Sequence, residues 1–314
     1  VADTQIRFGA AAIPEPDRDW LARVEQLPID SVWQGGHVLP PSPTGEAITR
    51  LALMTAWTER VRVGAAVLLL PLYHPVLVAK QLADLDARSG GRLTVGVGVG
   101  GEFRGEFDAL GVPLAERGAR TTEAMQALRA LWSGGPVSFD GTFHRFHDVE
   151  LRPVAAQPGG RPGGPPLIVS GRSEAAMRRA ARFGDGWLPY LFSADAYARS
   201  VGAIHAEAQQ AGRDLAGFEW LAYVYCSVRR DGDRARADVA EFLGGAYGDK
   251  PRAMLDRIAP AGTPDEVAAR LQDYVDAGAR HIVISPAARE DTLEVITLAA
   301  TEVLPRLRVP EVVA

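Results

Sequence analysis

The chain has 314 residues, 47% hydrophobic and 23% charged, with a formal net charge of −5. That length allows a large buried core, and the acidic balance argues against nucleic acid or an anionic membrane as the main partner. The single cysteine, Cys226, excludes internal disulfides and cysteine-based metal sites.

Lysine occurs only at Lys80 and Lys250, so nearly all basic charge is arginine, a bias of genome composition rather than of function. The longest apolar run, VGAAVLLLPL at 63–72, is too short to span a bilayer. The opening VADTQIRFGA lacks the basic and apolar regions of a signal peptide, so a cytoplasmic protein is expected.

Periodicity and capping signals give one motif repeatedly. Strands are expected at 6–12, 30–34, 62–70 and 92–99, with helices at 19–26, at 45–59 and from Pro75 onward. Further strands fall at 167–170, 186–190, 219–228 and 281–285. Helices are expected at 193–211 and 290–304 and in the stretch that Thr263, Pro264 and Glu266 open as a capping box with proline at N1.

Two stretches break the alternation. Residues 101–165 hold a helix at 117–132, a hairpin VSFDGTFHRF turning at Asp140-Gly141, and a connector QPGGRPGGPP. Residues 231–262 add a helical excursion.

Eight apolar strands alternating with helices predict a parallel sheet, and eight is the number that closes a (β/α)8 TIM barrel. The expectation is therefore an α/β fold, a single TIM-barrel domain over 1–314, with insertions after strands four and seven, the first at about 101–165. A doubly wound open sheet is the alternative. Long insertions on the βα side of a barrel shape or cover the active site.

The run GVGVGG, Gly96 to Gly101, matches a dinucleotide fingerprint by letter only. The fingerprint needs a helix opening inside it and a second strand ending on an acid about 20 residues later; here EFRGEFDALGVP follows instead. Glycines in a barrel strand also let a flat ring approach the backbone, which makes Gly98 and Gly100 candidates for coenzyme contact.

The stretch PPLIVSGRSEAAMRRAARFGDGWLPY raises a separate question, because a strand ends on Ser170-Gly171-Arg172-Ser173 and a helix opens at once. Free N–H groups at a helix N-terminus suit an anion; a plain capped turn is the other reading.

GGRLTVGVGVG, EFDALGVPLAERGARTTEAMQALRALW, VSFDGTFHRFHDVELRPVAAQP and IVSGRSEAAMRRAARFGDGW, in this order and closed by GTPDEVAARL, resemble the bacterial luciferase-like superfamily. Within it the chain is most similar to actinobacterial oxidoreductases that use the deazaflavin coenzyme F420, and it is also similar to flavin-dependent monooxygenases.

The resemblance implies a flavin-like ring at the C-terminal mouth of a barrel and a phosphate at Gly171, Arg172 and Ser173. It implies a bulge, often with a non-proline cis bond, in AVLLLPLYHP, placed at Val67–Leu68; a plain buried strand is the alternative. His37 takes the place of a chemical histidine, but the acid that commonly precedes it is Gly36 here, so its orienting partner is missing from the sequence. Glu102 falls where some deazaflavin enzymes carry a catalytic glutamate, in a stretch one residue longer than usual.

His144 and His147 lie in the hairpin without a third ligand, and no metal is expected. His74 lies just past strand three, His205 on an exposed helix face, and His281 at the start of strand eight in a structural position.

The function implied is hydride transfer between F420 and a small, uncharged, partly apolar organic substrate, in a homodimer. Leu72, Tyr73, Phe103, Trp187 and Tyr190 suggest an apolar mouth. An FMNH2-dependent two-component monooxygenase, with FMN in place of F420, and a non-catalytic flavin-binding barrel are the alternatives.

Overall fold

The computed structural model describes residues 5–11, 17–41, 43–153, 164–247 and 252–310. Most of the proline- and glycine-rich connector at 157–166 lies outside them. The first half of the chain holds β1 (Arg7–Ala11), α1 (Arg18–Glu25), β2 (Ser31–Gln34), α2 (Ala47–Trp57), β3 (Arg62–Leu69), α3 (Pro75–Arg88), β4 (Leu93–Gly98), α4 (Arg104–Ala109), α5 (Arg117–Trp132), β5 (Val137–Asp140) and β6 (Arg145–Val149). The second holds β7 (Leu167–Ser170), α6 (Glu174–Phe183), β8 (Gly186–Leu188), α7 (Ala194–Gln210), β9 (Glu219–Val228), α8 (Gly232–Tyr247), α9 (Arg252–Ile258), β10 (Ala261–Gly262), α10 (Pro264–Asp276), β11 (His281–Pro286) and α11 (Thr292–Leu298).

The strands β1 to β4, β7, β8, β9 and β11, each followed by a helix, are the eight repeats of a (β/α)8 barrel. By internal contacts the chain divides into two compact units, one of Val1–Trp33 with Trp187–Ala314 and one of Gln34–Gly186.

In the first unit β1 runs parallel to β11, with Phe8 opposite Ile282, and to β2, with Ala10 opposite Val32. β11 pairs in turn with β9, Val283 opposite Tyr223. Every residue of β11 is buried, as expected of a parallel strand covered on both faces. Gly9 is required by what lies beside it, since a Cβ there would stand 2.5 Å from Ser31 Oγ and 2.9 Å from Trp33 Nε1. Trp33 Nε1 donates to Ser31 Oγ at 2.7 Å, and the same oxygen is hydrogen-bonded to His281 Nε2 at 2.7 Å. His281 is fully buried.

The excursion after β9 is two helices, α8 and α9. Val239, Leu243, Leu255 and Ile258 from them pack with Leu191, Tyr225 and Ala287. The Thr263–Glu266 capping box forms as the sequence predicts. The last helix starts at Thr292, two residues later than expected, because Asp291 takes a left-handed φ of 54°.

In the second unit β3 pairs with β4 and β4 with β7, all parallel. Arg92 ties the start of β4 to its neighbours: its Nη1 donates to Val61 O at 2.7 Å and its Nη2 to Thr58 O at 2.8 Å. The hairpin β5–β6 hangs on Glu123 of α5, whose carboxylate accepts from the N–H groups of Thr142 (2.6 Å), Phe143 (2.9 Å) and His144 (2.8 Å). One helix of this unit has no counterpart in the sequence reading. The six-residue helix α4 carries Glu106 and Phe107, both fully buried, between exposed neighbours.

Candidate functional site

Four features of the second unit stand out, one inside a barrel strand and three in the turns that follow strands. The first is an irregularity in β3. Ala65 pairs with Val95 and Leu68 with Val97, so three steps on β3 match two on β4. The extra residue falls at Ala66–Val67, and that peptide bond is cis. The expected position, Val67–Leu68, is corrected by one residue. Leu68 is fully buried in the core, whereas Ala66 and Val67 keep partly exposed faces.

Glycines make room for this bulge. A Cβ on Gly35 would stand 2.5 Å from Ala66 O, on Gly96 2.0 Å from Ala65 O, and on Gly98 2.4 Å from Val67 Cγ2. The glycine run of β4 therefore fits the neighbouring strand, and the space beside Gly98 is filled by Val67. Gly100, at φ +63°, faces the Phe107 ring of α4.

The second feature is His37, three residues past β2. Its Nδ1 is hydrogen-bonded to Glu106 Oε1 at 3.0 Å, and its Nε2 lies 3.6 Å from Glu102 Oε2. The ring is a quarter exposed, Glu102 half exposed, and Glu106 not exposed at all. The same Glu106 accepts from the backbone N–H of Val38 (2.8 Å) and of Leu39 (3.3 Å). Phe103 packs edge-on to the imidazole at 4.8 Å.

The reading that His37 lacks an orienting acid is thus overturned. The acid comes from 69 residues away in sequence, on the helix that periodicity missed. Gly36 itself has no room for an acid, because a Cβ there would stand 2.5 Å from Ala47 N.

The third feature links the loop after β2 to the turn after β3. Glu46 caps α2, and Tyr73 Oη donates to its Oε1 at 2.5 Å. Burial works to raise the Glu46 carboxyl, but the bonds from Tyr73, Ile48 N, Thr49 N and the Thr49 hydroxyl outweigh it and hold it below the usual range. Burial, then the contact with Glu46, pushes the Tyr73 hydroxyl up, so it stays a donor.

The fourth feature is the turn after β7. Gly171 has φ +122°, and a Cβ there would meet Ala176 Cβ at 2.9 Å, so glycine is demanded. Ser173 caps α6, its Oγ accepting from Ala176 N at 3.2 Å. Arg172 and Ser173 are exposed. An extended strand ending directly at a capped helix leaves first-turn N–H groups facing outward, which suits an anion.

Other expected residues have different surroundings. Trp187 is fully buried against Tyr197 at 5.0 Å, so it lines no mouth; sequence could not show that α7 covers it. His74 faces the hairpin, edge-on to His144 at 5.7 Å. His205 stacks near Trp220 at 5.1 Å. Among the described residues no three potential metal ligands come together, and no helix is long and apolar enough to cross a membrane.

Residues 9–281 match the family described as luciferase-like monooxygenase, and the chain belongs to that family. It is an enzyme of that family by its relatives. It is 33% identical to an F420-dependent glucose-6-phosphate dehydrogenase of the actinobacterium Beutenbergia cavernae, over 98% of each chain. It is 35% identical to an FMNH2-dependent dimethylsulfone monooxygenase of Pseudomonas putida, over 69% of this chain and 58% of that one. The structure of an F420-dependent secondary alcohol dehydrogenase superposes with a TM-score of 0.84, at 21% identity, over 97% of this chain and 99% of the other, and bears out the barrel fold.

Proposed function

We propose that this chain transfers a hydride between coenzyme F420 and a small, uncharged, partly apolar organic substrate. The observation that carries the reading is His37, held between two carboxylates two residues past the glycine that abuts the cis bulge. The residues fit a flat ring with a phosphate tail, since Ala66 and Val67 present a partly exposed bulge and Gly171 leaves no space for a side chain at the turn. Relatives that use F420 support the coenzyme.

In this reading the deazaflavin supplies the carbon that takes or gives the hydride. Val67 and its neighbour Ala66 back the ring; the N–H groups of Arg172 and Ser173, the Arg172 guanidinium and Gly171 hold the phosphate. Oxidation of a carbinol removes a hydride from carbon and a proton from oxygen. His37 Nε2 receives that proton, and returns it when the reaction runs toward the alcohol. Glu102, half exposed beside Nε2, exchanges it with water. Half-buried Leu72 and Phe103 support a partly apolar substrate. The reading includes a homodimer in the cytoplasm.

The relative from Pseudomonas putida favours a second reading, an FMNH2-dependent monooxygenase. Titration of the purified protein with F420 and, separately, FMN, followed by fluorescence, decides between them. F420 is expected to bind at least about tenfold more tightly, a difference of about 1.4 kcal/mol. Equal or reversed affinities favour the monooxygenase, and no binding of either leaves a barrel without this activity.

A further inference from the structure

The structure carries one role that neither sequence nor relatives assign, that of Glu106. We propose that Glu106 is the positioning residue of the site, holding the proton of His37 on Nδ1 so that Nε2 is the nitrogen that exchanges protons. The inference rests on the reading of His37 as the acid–base group, and extends it.

Several observations converge. Glu106 has no exposed surface, and its three hydrogen bonds described above all come from residues 37–39. A buried carboxylate with only donors around it is an acceptor, so the ring nitrogen facing it must carry the hydrogen. With Nδ1 occupied, Nε2 is left facing Glu102 and solvent, with its lone pair available in the neutral ring. The two N–H bonds to Val38 and Leu39 fix the loop on the same carboxylate that fixes the ring. His37 therefore cannot rotate about its own side chain without losing the contact that the loop already anchors. Phe103, one residue before α4, closes the ring's edge.

The arrangement also gives Gly36 a reason. Ala47 N fills the place where an acid at 36 would begin, so the orienting carboxylate has to arrive from another strand's loop. The charged and titratable groups around the dyad are Glu102 at Nε2, and Tyr73 with its partner Glu46 on the side of Glu106.

Glu106→Gln is the informative substitution. The amide oxygen can still accept from Val38 N–H, but the NH2 group then faces Nδ1 and can only donate. The ring is expected to switch to the Nε2–H tautomer, read from the nitrogen chemical shifts of the His37 imidazole in the coenzyme-free protein. Hydride-transfer rate should fall to about the level of His37→Ala, with coenzyme affinity within a few-fold, and the double variant should lose nothing further. An unchanged tautomer in Glu106→Gln, or losses that add in the double variant, overturns the proposal.

If Glu106→Gln does not fold, Glu106→Asp keeps the charge and should keep the Nδ1–H tautomer; a folded Asp variant with Nε2–H overturns the proposal equally. A tautomer switch in Glu106→Gln together with a parental rate in His37→Ala upholds the dyad while removing His37 from the chemistry, which separates this inference from the reading it rests on.

Discussion

His281 in the first unit and His37 in the second each sit in a hydrogen-bonded pair, and these two pairs are opposites. In the first unit His281 is fully buried and bonded to a serine hydroxyl that also accepts from Trp33. In the second, His37 is a quarter exposed and lies between carboxylates. A neutral hydroxyl partner in a sealed core fixes packing, and it offers no path for a proton to water. A buried carboxylate on one nitrogen and an exposed one near the other fix the ring and leave such a path open. The residue type is the same; the partner's charge and the exposure decide which histidine can act.

The strongest way to break the comparison is to remove the buried ring. His281→Ala leaves a cavity and strips Ser31 of a buried partner, a loss of about 3 kcal/mol in unfolding free energy. Urea denaturation measures it. Turnover per folded molecule should stay at the parental value. A large loss of turnover with unchanged stability would put His281 in the chemistry and erase the contrast.

The turn after β7, proposed above to hold a phosphate, tests the same contrast through the backbone geometry of the second unit. Gly171→Val puts a branched side chain at φ +122° and a Cβ 2.9 Å from Ala176 Cβ. The strain is about 1–3 kcal/mol, shared between stability and binding. Coenzyme affinity should weaken more than about tenfold, over 1.4 kcal/mol. Parental affinity in a folded variant would mean that the turn is only a capped connection.

His37→Ala is expected to cost about tenfold in turnover, less than the roughly 10²–10⁴ typical of a general acid–base group, with coenzyme affinity within a few-fold. The reasoning is that Glu102 and water remain to exchange the proton. Stopped-flow hydride transfer measures it, and a parental rate would reduce His37 to the same standing as His281.

The sequence made much of this legible and hid one essential part. The bounds of α5, β7 and β9 are those that periodicity predicts, and the capping box that opens α10 is visible as letters. Those signals are local. Helix α4 is not legible, because six residues with Gly105 inside give neither periodicity nor propensity. Its Glu106 reads as one more charged residue in a loop. The missing acid at Gly36 looked like a defect for the same reason: a partner 69 residues away leaves no mark in spacing. The cis bond fell one residue from its expected place because the slip in β3 is defined only against β4.

The smallest effect belongs to the hairpin, which the second unit holds by a histidine–carboxylate pair built like the His37 pair, with His144 Nδ1 3.1 Å from Glu123 Oε1. Burial lowers the His144 ring below its ordinary 6.5, with Glu123 only partly offsetting it. Burial acts to raise Glu123, but the N–H groups of Phe143, Thr142 and His144 and the His144 ring outweigh this and hold it below 4.5. For both groups the unfolded hairpin binds protons more readily than the folded one, so the stability they contribute is lost as pH falls. The loss should begin below about 6.5, as His144 is protonated, and continue below 4.5 as Glu123 follows. The stacked Phe139–Phe146 pair and Arg120 over Phe143 do not titrate in this range, so the hairpin should loosen rather than detach. Amide exchange at residues 137–149, corrected for intrinsic rates, should accelerate in those two stages. Glu123→Gln should remove the lower stage, and uniform protection down to pH 4 would mean that the backbone bonds hold the hairpin without the charge.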